Sequence, residues 1–123
     1  MRVFKHIFIC LFLASCLQTV QQESKVISQD EMKTLLQMDN VQLLDVRTPQ
    51  EYELGFIADA KNIDFLSPTF LEEVEKLDKK KPIIVYCEKG GRSAKCAEKL
   101  KQVGFAKIYD LEGGYSKWKF QEE

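Results

Sequence analysis

From Ser28 onward the apolar positions of this chain switch repeatedly between helical and strand spacing. Ser28-Gln29-Asp30-Glu31 has the form of a capping box, and Met32, Leu35 and Leu36 follow at helical intervals, predicting a helix to about Met38. Val41 to Val46 predicts a strand that ends on polar residues. Thr48-Pro49-Gln50-Glu51 is a second capping box with proline at the first helical position, and Gly55 closes that short helix. Lys61 to Asp64 predicts a short strand, and Thr69 to Glu72 a third capping box opening a helix through Leu77. Ile83-Ile84-Val85-Tyr86 is a continuous, largely β-branched run, the mark of a strand buried on both faces of a parallel sheet. A glycine-containing turn leads from it into a helix over about Arg92–Val103, with Gly104 at the position that favours a left-handed cap. Lys107 to Leu111 predicts a last strand and Tyr115 to Trp118 a last short helix. Strand and helix in alternation imply an α/β fold, helices on both faces of a mainly parallel central sheet, with ligands beyond the carboxyl ends of the strands.

The amino terminus follows another pattern. Arg2 and Lys5 precede an apolar stretch, Ile7 to Ala14, too short to span a bilayer, which takes about 20 apolar residues. It reads as an export signal. Leu13-Ala14-Ser15-Cys16 resembles the bacterial lipobox, in which the chain is cut before a cysteine that carries lipid. The expected organisation is a signal over 1–15, a lipidated tether over 16–25 beginning at Cys16, a folded domain over 26–120 and a tail over 121–123. The resemblance implies a protein of the bacterial cell envelope, lipid-anchored to a membrane on the periplasmic side.

Composition narrows the chemistry. Hydrophobic residues make up 45% of the 123 and charged residues 30%, a globular balance. The formal net charge is −1; losing Arg2 and Lys5 with residues 1–15 leaves 16 Lys+Arg against 19 Asp+Glu, or −3. That removes the electrostatic reason to expect a nucleic-acid partner. The one histidine, His6, leaves with the signal, so the mature chain has no Cys–His dyad and no histidine metal ligand. Of four cysteines, Cys10 leaves and Cys16 takes lipid; Cys87 and Cys96 remain, too few for a zinc site or a disulfide framework. Neither metal nor organic cofactor is expected.

Cys87 stands at the end of the most apolar strand and opens Cys87-Glu88-Lys89-Gly90-Gly91-Arg92-Ser93. A tight strand-to-helix turn aims successive backbone N–H groups at one point, and the helix that follows adds its positive end. Gly90 and Gly91 permit the positive φ such a cradle needs. Lys89 and Arg92 add charge. Each favours a thiolate at Cys87 with no base beside it and would hold an anionic adduct on its sulfur. Cys96 and Trp118 read as core residues, and Asp45 with Arg47 as a structural ion pair or a partner for loop amides.

With these residues in view, the chain resembles a single-domain rhodanese, a sulfurtransferase. The family's Cys-x-x-Gly-x-Arg-Ser loop is matched by Cys87, Gly90, Arg92 and Ser93. Asp45-Val46-Arg47 with Glu51-Tyr52, Gly55 to Ile57, Ala60 to Ile63, and Gly113-Gly114 with Trp118 match its supporting segments in order, over roughly residues 26 to 120. Two positions depart: Phe56 replaces the usual histidine and Asp59 the usual glycine. The resemblance implies a cysteine persulfide at Cys87, formed from an anionic donor such as thiosulfate, bound by Glu88, Lys89, Gly90, Gly91, Arg92 and Ser93, and passed to a thiol or protein acceptor. Related phosphatases have a loop one residue longer, Cys-x5-Arg; Cys-x4-Arg suits one extra sulfur atom rather than a phosphoryl group. The other reading is a rhodanese module that presents a thiol or persulfide to a protein partner without turning over.

Overall fold

The computed structural model describes residues 21–38 and 40–122. Its centre is the Ile83–Tyr86 run, strand β4 in an order that begins β1 (Glu23–Ile27), α1 (Gln29–Leu36), β2 (Gln42–Asp45), α2 (Pro49–Glu53), β3 (Lys61–Asn62) and α3 (Phe70–Val74). After β4 come α4 (Gly91–Gln102), β5 (Lys107–Leu111) and α5 (Gly114–Glu122). The sheet order is β1-β5-β4-β2-β3 and every pairing is parallel. With neighbours on both edges and helices on both faces, β4 has no polar side, which explains its unbroken apolar sequence.

Alternation along β4 divides the core. Ile83 and Val85 join Leu44, Ile63, Phe70, Val74, Leu100 and Phe105 on the side of α3 and α4. Ile84 and Tyr86 join Ile27, Met32, Leu43 and Leu111 on the side of α1, with Trp118 of α5 packed against them. Each fully buried aliphatic side chain contributes about 1.5–3 kcal/mol. The same alternation carries Cys87 onto the α4 side, in the first of these clusters. That places the cysteine under the helix that follows it.

Three expectations change. Glu23 to Lys25, read as tether, belong to β1, which pairs with β5 from Glu23↔Lys107 to Ile27↔Leu111. Only Ile27 of that strand is buried, so backbone pairing rather than apolar pattern makes it a strand. The third capping box does not form: Thr69 has φ −97° and ψ 8° and no side-chain bond to the helix backbone, while its hydroxyl donates to Glu73, not Glu72. The last helix is longer than expected, running to Glu122. The first two capping boxes, Ser28/Glu31 and Thr48/Glu51, are present.

Candidate active site

β4 delivers Cys87 to the carboxyl edge of the sheet, 1% exposed. The chain then turns through Glu88 and Lys89 to Gly90, the residue before α4, at φ 117°. A side chain there would meet nothing within 4 Å, so backbone conformation alone calls for glycine. Gly91 has no positive φ; contrary to expectation it supplies no special conformation and is the exposed first residue of α4. The turn brings the Gly90 amide to 3.0 Å from Cys87 Sγ, to which it donates. The Cys87 thiol donates to Ser93 Oγ across 3.5 Å, and Ser93 Oγ donates to the Gly90 carbonyl at 3.1 Å. Ser93 is buried and Lys89 exposed at the loop tip.

The other loop residues do not face the sulfur as expected. Arg92, read as a donor-binding cation, places Nη1 2.6 Å and Nη2 2.8 Å from the two carboxylate oxygens of Glu51. The same carboxylate accepts from Thr48 in the capping box of α2. Glu51 thereby ties α2 to the loop, and its bond from Arg92 lowers its pKa to about 2. Arg92 is held more firmly protonated in return. Glu88 is likewise committed: its carboxylate accepts from Arg47 Nη1 at 3.0 Å and from Ser116 Oγ at 2.9 Å.

Arg47, 1% exposed, is the hub beneath the loop. It bonds both oxygens of Asp45, the Gly55 carbonyl and Glu88, and its guanidinium lies 4.2 Å from the centre of the Tyr115 ring. Burial opposes its charge, but the bonds and attraction of Asp45 outweigh burial and raise its pKa. The start of α5 completes the clamp. Tyr115 N donates to the Cys87 carbonyl at 2.8 Å and Ser116 N to that of Glu88 at 3.0 Å. A Cβ at Gly114 would lie 2.5 Å from the Cys87 oxygen, so only glycine allows this approach.

Sequence reasoning missed this clamp, because its partners lie far apart in the chain. It also missed Lys119, which with Arg47, Glu51, Leu54, Glu88 and Tyr115 lines a cavity of about 210 Å³ beside the loop. The two unusual positions are absorbed locally. Phe56 stacks on Tyr52 at 4.2 Å, and Asp59 takes φ 68°, a conformation that aspartate tolerates better than most residues.

Cys96 stands apart from these contacts, fully buried in the second turn of α4; burial first, then the charges of Asp110 and Cys87, push its thiol pKa up. Among the described residues no group of three or more His, Cys, Asp or Glu side chains is placed to hold a metal, and no helix is long and apolar enough to cross a membrane. Cys16 and the rest of the signal lie outside the described residues.

Fold and site together define an α/β protein whose central strand ends on a cysteine cradled by a short loop. Residues 28–121 match the rhodanese-like domain, and the chain belongs to that family. It is 40% identical over 96 residues to the thiosulfate sulfurtransferase GlpE of Coxiella burnetii, spanning 77% of this chain and 87% of that one. It is 36% identical over 101 residues to the uncharacterized protein YqhL of Bacillus subtilis, spanning 77% and 79%. The crystal structure of a rhodanese-related protein from Thermoplasma volcanium superposes with a TM-score of 0.70 at 32% identity, over 79% of this chain and 92% of its own.

Proposed function

We propose that the protein is a thiosulfate sulfurtransferase that works through a persulfide on Cys87. The observation that carries this reading is the Gly90 amide donating to Cys87 Sγ at 3.0 Å, within a loop fixed from both sides by Glu51 and Arg47. A preorganised donor favours the anionic sulfur without having to be reoriented during reaction.

The Cys87 thiolate attacks the outer sulfur of thiosulfate. A sulfur–sulfur bond forms as the bond to the sulfonate group breaks, and sulfite leaves with the electron pair. A nucleophilic acceptor, cyanide in an assay or a thiol in the cell, then takes the outer sulfur and returns the thiolate. Two half-reactions on one residue imply ping-pong kinetics. With Arg47 and Arg92 committed to carboxylates, Lys89 and Lys119 are the cations proposed to draw in the donor.

The test is intact mass after incubation with thiosulfate. One added sulfur on Cys87, lost on addition of cyanide with release of thiocyanate, is expected; no added sulfur overturns the reading. A persulfide that forms but yields only to a protein thiol identifies the non-turnover module instead. The lipobox pattern supports a further element of the proposal, acylation of Cys16 at the periplasmic side of a bacterial membrane. Replacing Cys16 by alanine is expected to abolish fatty-acid labelling and membrane retention, and unchanged retention overturns it.

A further inference from the structure

The strands are parallel, so all begin toward one edge of the sheet and end toward the other, where the Cys87 loop lies. Ile83 opens β4 at the first edge, and the strand carries Cys87 about 13 Å away from it. The turns that precede β4 and β5 meet at that first edge, where Ala106 N donates to the Lys79 carbonyl at 3.1 Å. Residues 75–81 and 99–107 thereby come together, with seven lysines and two acids between them. Lys79 is half-buried and paired with Glu75 at 2.6 Å; the other six lysines are exposed and in no ion pair among the described residues. With Glu23, the first residue of β1, these segments carry a net +4. The chain from Cys16 onward carries −3, which leaves −7 for everything else.

The incoming chain is pinned within this lysine surface. Glu23 N donates to the Ala106 carbonyl at 2.8 Å. The Gln22 side chain donates to the carbonyls of Lys101 at 2.7 Å and Phe105 at 3.0 Å. Cys16 is six residues before Gln22, a covalent reach of at most about 22 Å in any conformation. Whatever holds Cys16 therefore holds the lysine edge near it, with the Cys87 loop on the far side of the sheet. A surface of anionic phospholipid attracts lysines that come within a Debye length, about 8 Å at physiological salt. A lipid chain and a basic patch are two signals that together hold a protein on a membrane.

We propose that the lysine edge formed by residues 75–81 and 99–107 lies against an anionic phospholipid surface and turns the Cys87 loop toward the aqueous side. Donor and acceptor then reach Cys87 from solution and not through the membrane. The orientation rests on the reading of Cys16 as the acylated residue, so acylation and contact are measured separately.

The full-length protein is incubated with vesicles of phosphatidylcholine, with or without phosphatidylglycerol, and treated with a membrane-impermeant amine-acetylating reagent. Peptide mass spectrometry reads the rate at each lysine, and intact mass of the same sample reads acylation. The exposed lysines of both segments are expected to react at least about threefold more slowly on the anionic vesicles than on the neutral ones. Lys89 and Lys119, on the Cys87 side, should react equally on both. The protection should vanish in about 1 M salt, where the Debye length is about 3 Å. Equal rates on the two lipids overturn the proposal, as does protection of Lys89 and Lys119 instead. Equal protection by duplex DNA at matched phosphate concentration assigns the surface to nucleic acid and also overturns it. An acylated chain with no protected edge refutes the contact and leaves the anchor standing. An unacylated chain with a protected edge refutes the anchor and leaves the contact standing. Combining Lys80→Glu, Lys81→Glu, Lys101→Glu and Lys107→Glu should remove the protection of Lys76 and Lys99. Thiocyanate formation should stay within about twofold of wild type, since all four positions are remote from the Cys87 loop. Protection that persists in this variant overturns the proposal, and if the variant does not fold, the labelling of the unaltered chain decides.

Discussion

The two described thiols, Cys87 and Cys96, share one hydrophobic cluster and are almost equally hidden from solvent. Cys96, in the second turn of α4, is surrounded by side chains, and the neighbouring charges reinforce burial in holding its proton on. Cys87 stands where the strand has ended and the helix has not begun, so unpaired backbone donors are available to it. One of them, the Gly90 amide, points at its sulfur. Burial therefore does not distinguish the proposed sulfur carrier from the other thiol. The difference is what the main chain presents at the sulfur.

The sharpest way to break the comparison is to remove the first thiol. Cys87→Ser keeps a small polar group under the Gly90 amide and is expected to fold. Sulfur transfer from thiosulfate to cyanide should fall by about 10³-fold or more, because the proposed mechanism carries the sulfur covalently on Cys87. Appreciable activity in the folded variant, measured by thiocyanate formation, would mean that Cys87 is not the carrier.

Much of this contrast is legible in the sequence. An apolar run ending in Cys87, then Gly90 and a helical pattern, is local information, and a strand-loop-helix cradle follows from it. The clamp is not local. Glu51 and Arg92 are 41 residues apart, as are Arg47 and Glu88, and nothing in the spacing of either pair announces the other partner. Reading the loop alone therefore leaves Arg92 as a free cation, when both its terminal nitrogens are engaged. Strand β1 escapes for a related reason. Val26 is 62% exposed and only Ile27 is buried, so the strand is defined by hydrogen bonds to β5 rather than by its side chains.

A second test leaves Cys87 in place and loosens its surroundings. One glycine inserted between Gly90 and Gly91 lengthens the loop to Cys-x5-Arg and enlarges the cradle. Sulfur transfer is expected to fall by at least about tenfold, equivalent to about 1.4 kcal/mol of lost stabilisation. Inhibition by tetrahedral oxyanions such as vanadate should strengthen. Thiocyanate kinetics with and without vanadate measure both, and unchanged transfer would mean that loop size does not set the chemistry.

A third test unties the loop from α2. Glu51→Gln can keep the capping box, which accepts glutamine, and removes the charge that holds Arg92. Because the Glu51 pKa is lowered on folding to about 2, its contribution is complete above the unfolded carboxylate pKa and is lost as pH falls toward 2. At neutral pH the variant is expected to be about 1–2 kcal/mol less stable, between the values for exposed and buried pairs. The gap from wild type should close as pH falls from about 5 toward 2. Transfer should drop several-fold from the loosened loop. Denaturant melts across that pH range read the first effect, and a gap that does not close would remove Glu51 as its source.

The smallest expected effect falls on the other thiol. Cys96 is fully buried on the same face of α4 as Ser93 and Leu100. Cys96→Ala deletes one sulfur atom from a close-packed region, and the cavity it leaves is small. Alanine is also the better helix former, which offsets part of the loss. The net cost is about 1 kcal/mol, a shift of roughly 4–8 °C in the thermal midpoint of a domain this size. Turnover under reducing conditions should stay within about twofold of wild type, since no bond to the Cys87 loop depends on the Cys96 sulfur. Thermal melts and thiocyanate kinetics on one preparation separate the two quantities. If the folded variant loses turnover while its stability barely changes, Cys96 takes part in the chemistry and the contrast between the two thiols fails. If stability falls and turnover holds, the main chain around Cys87 is what distinguishes them.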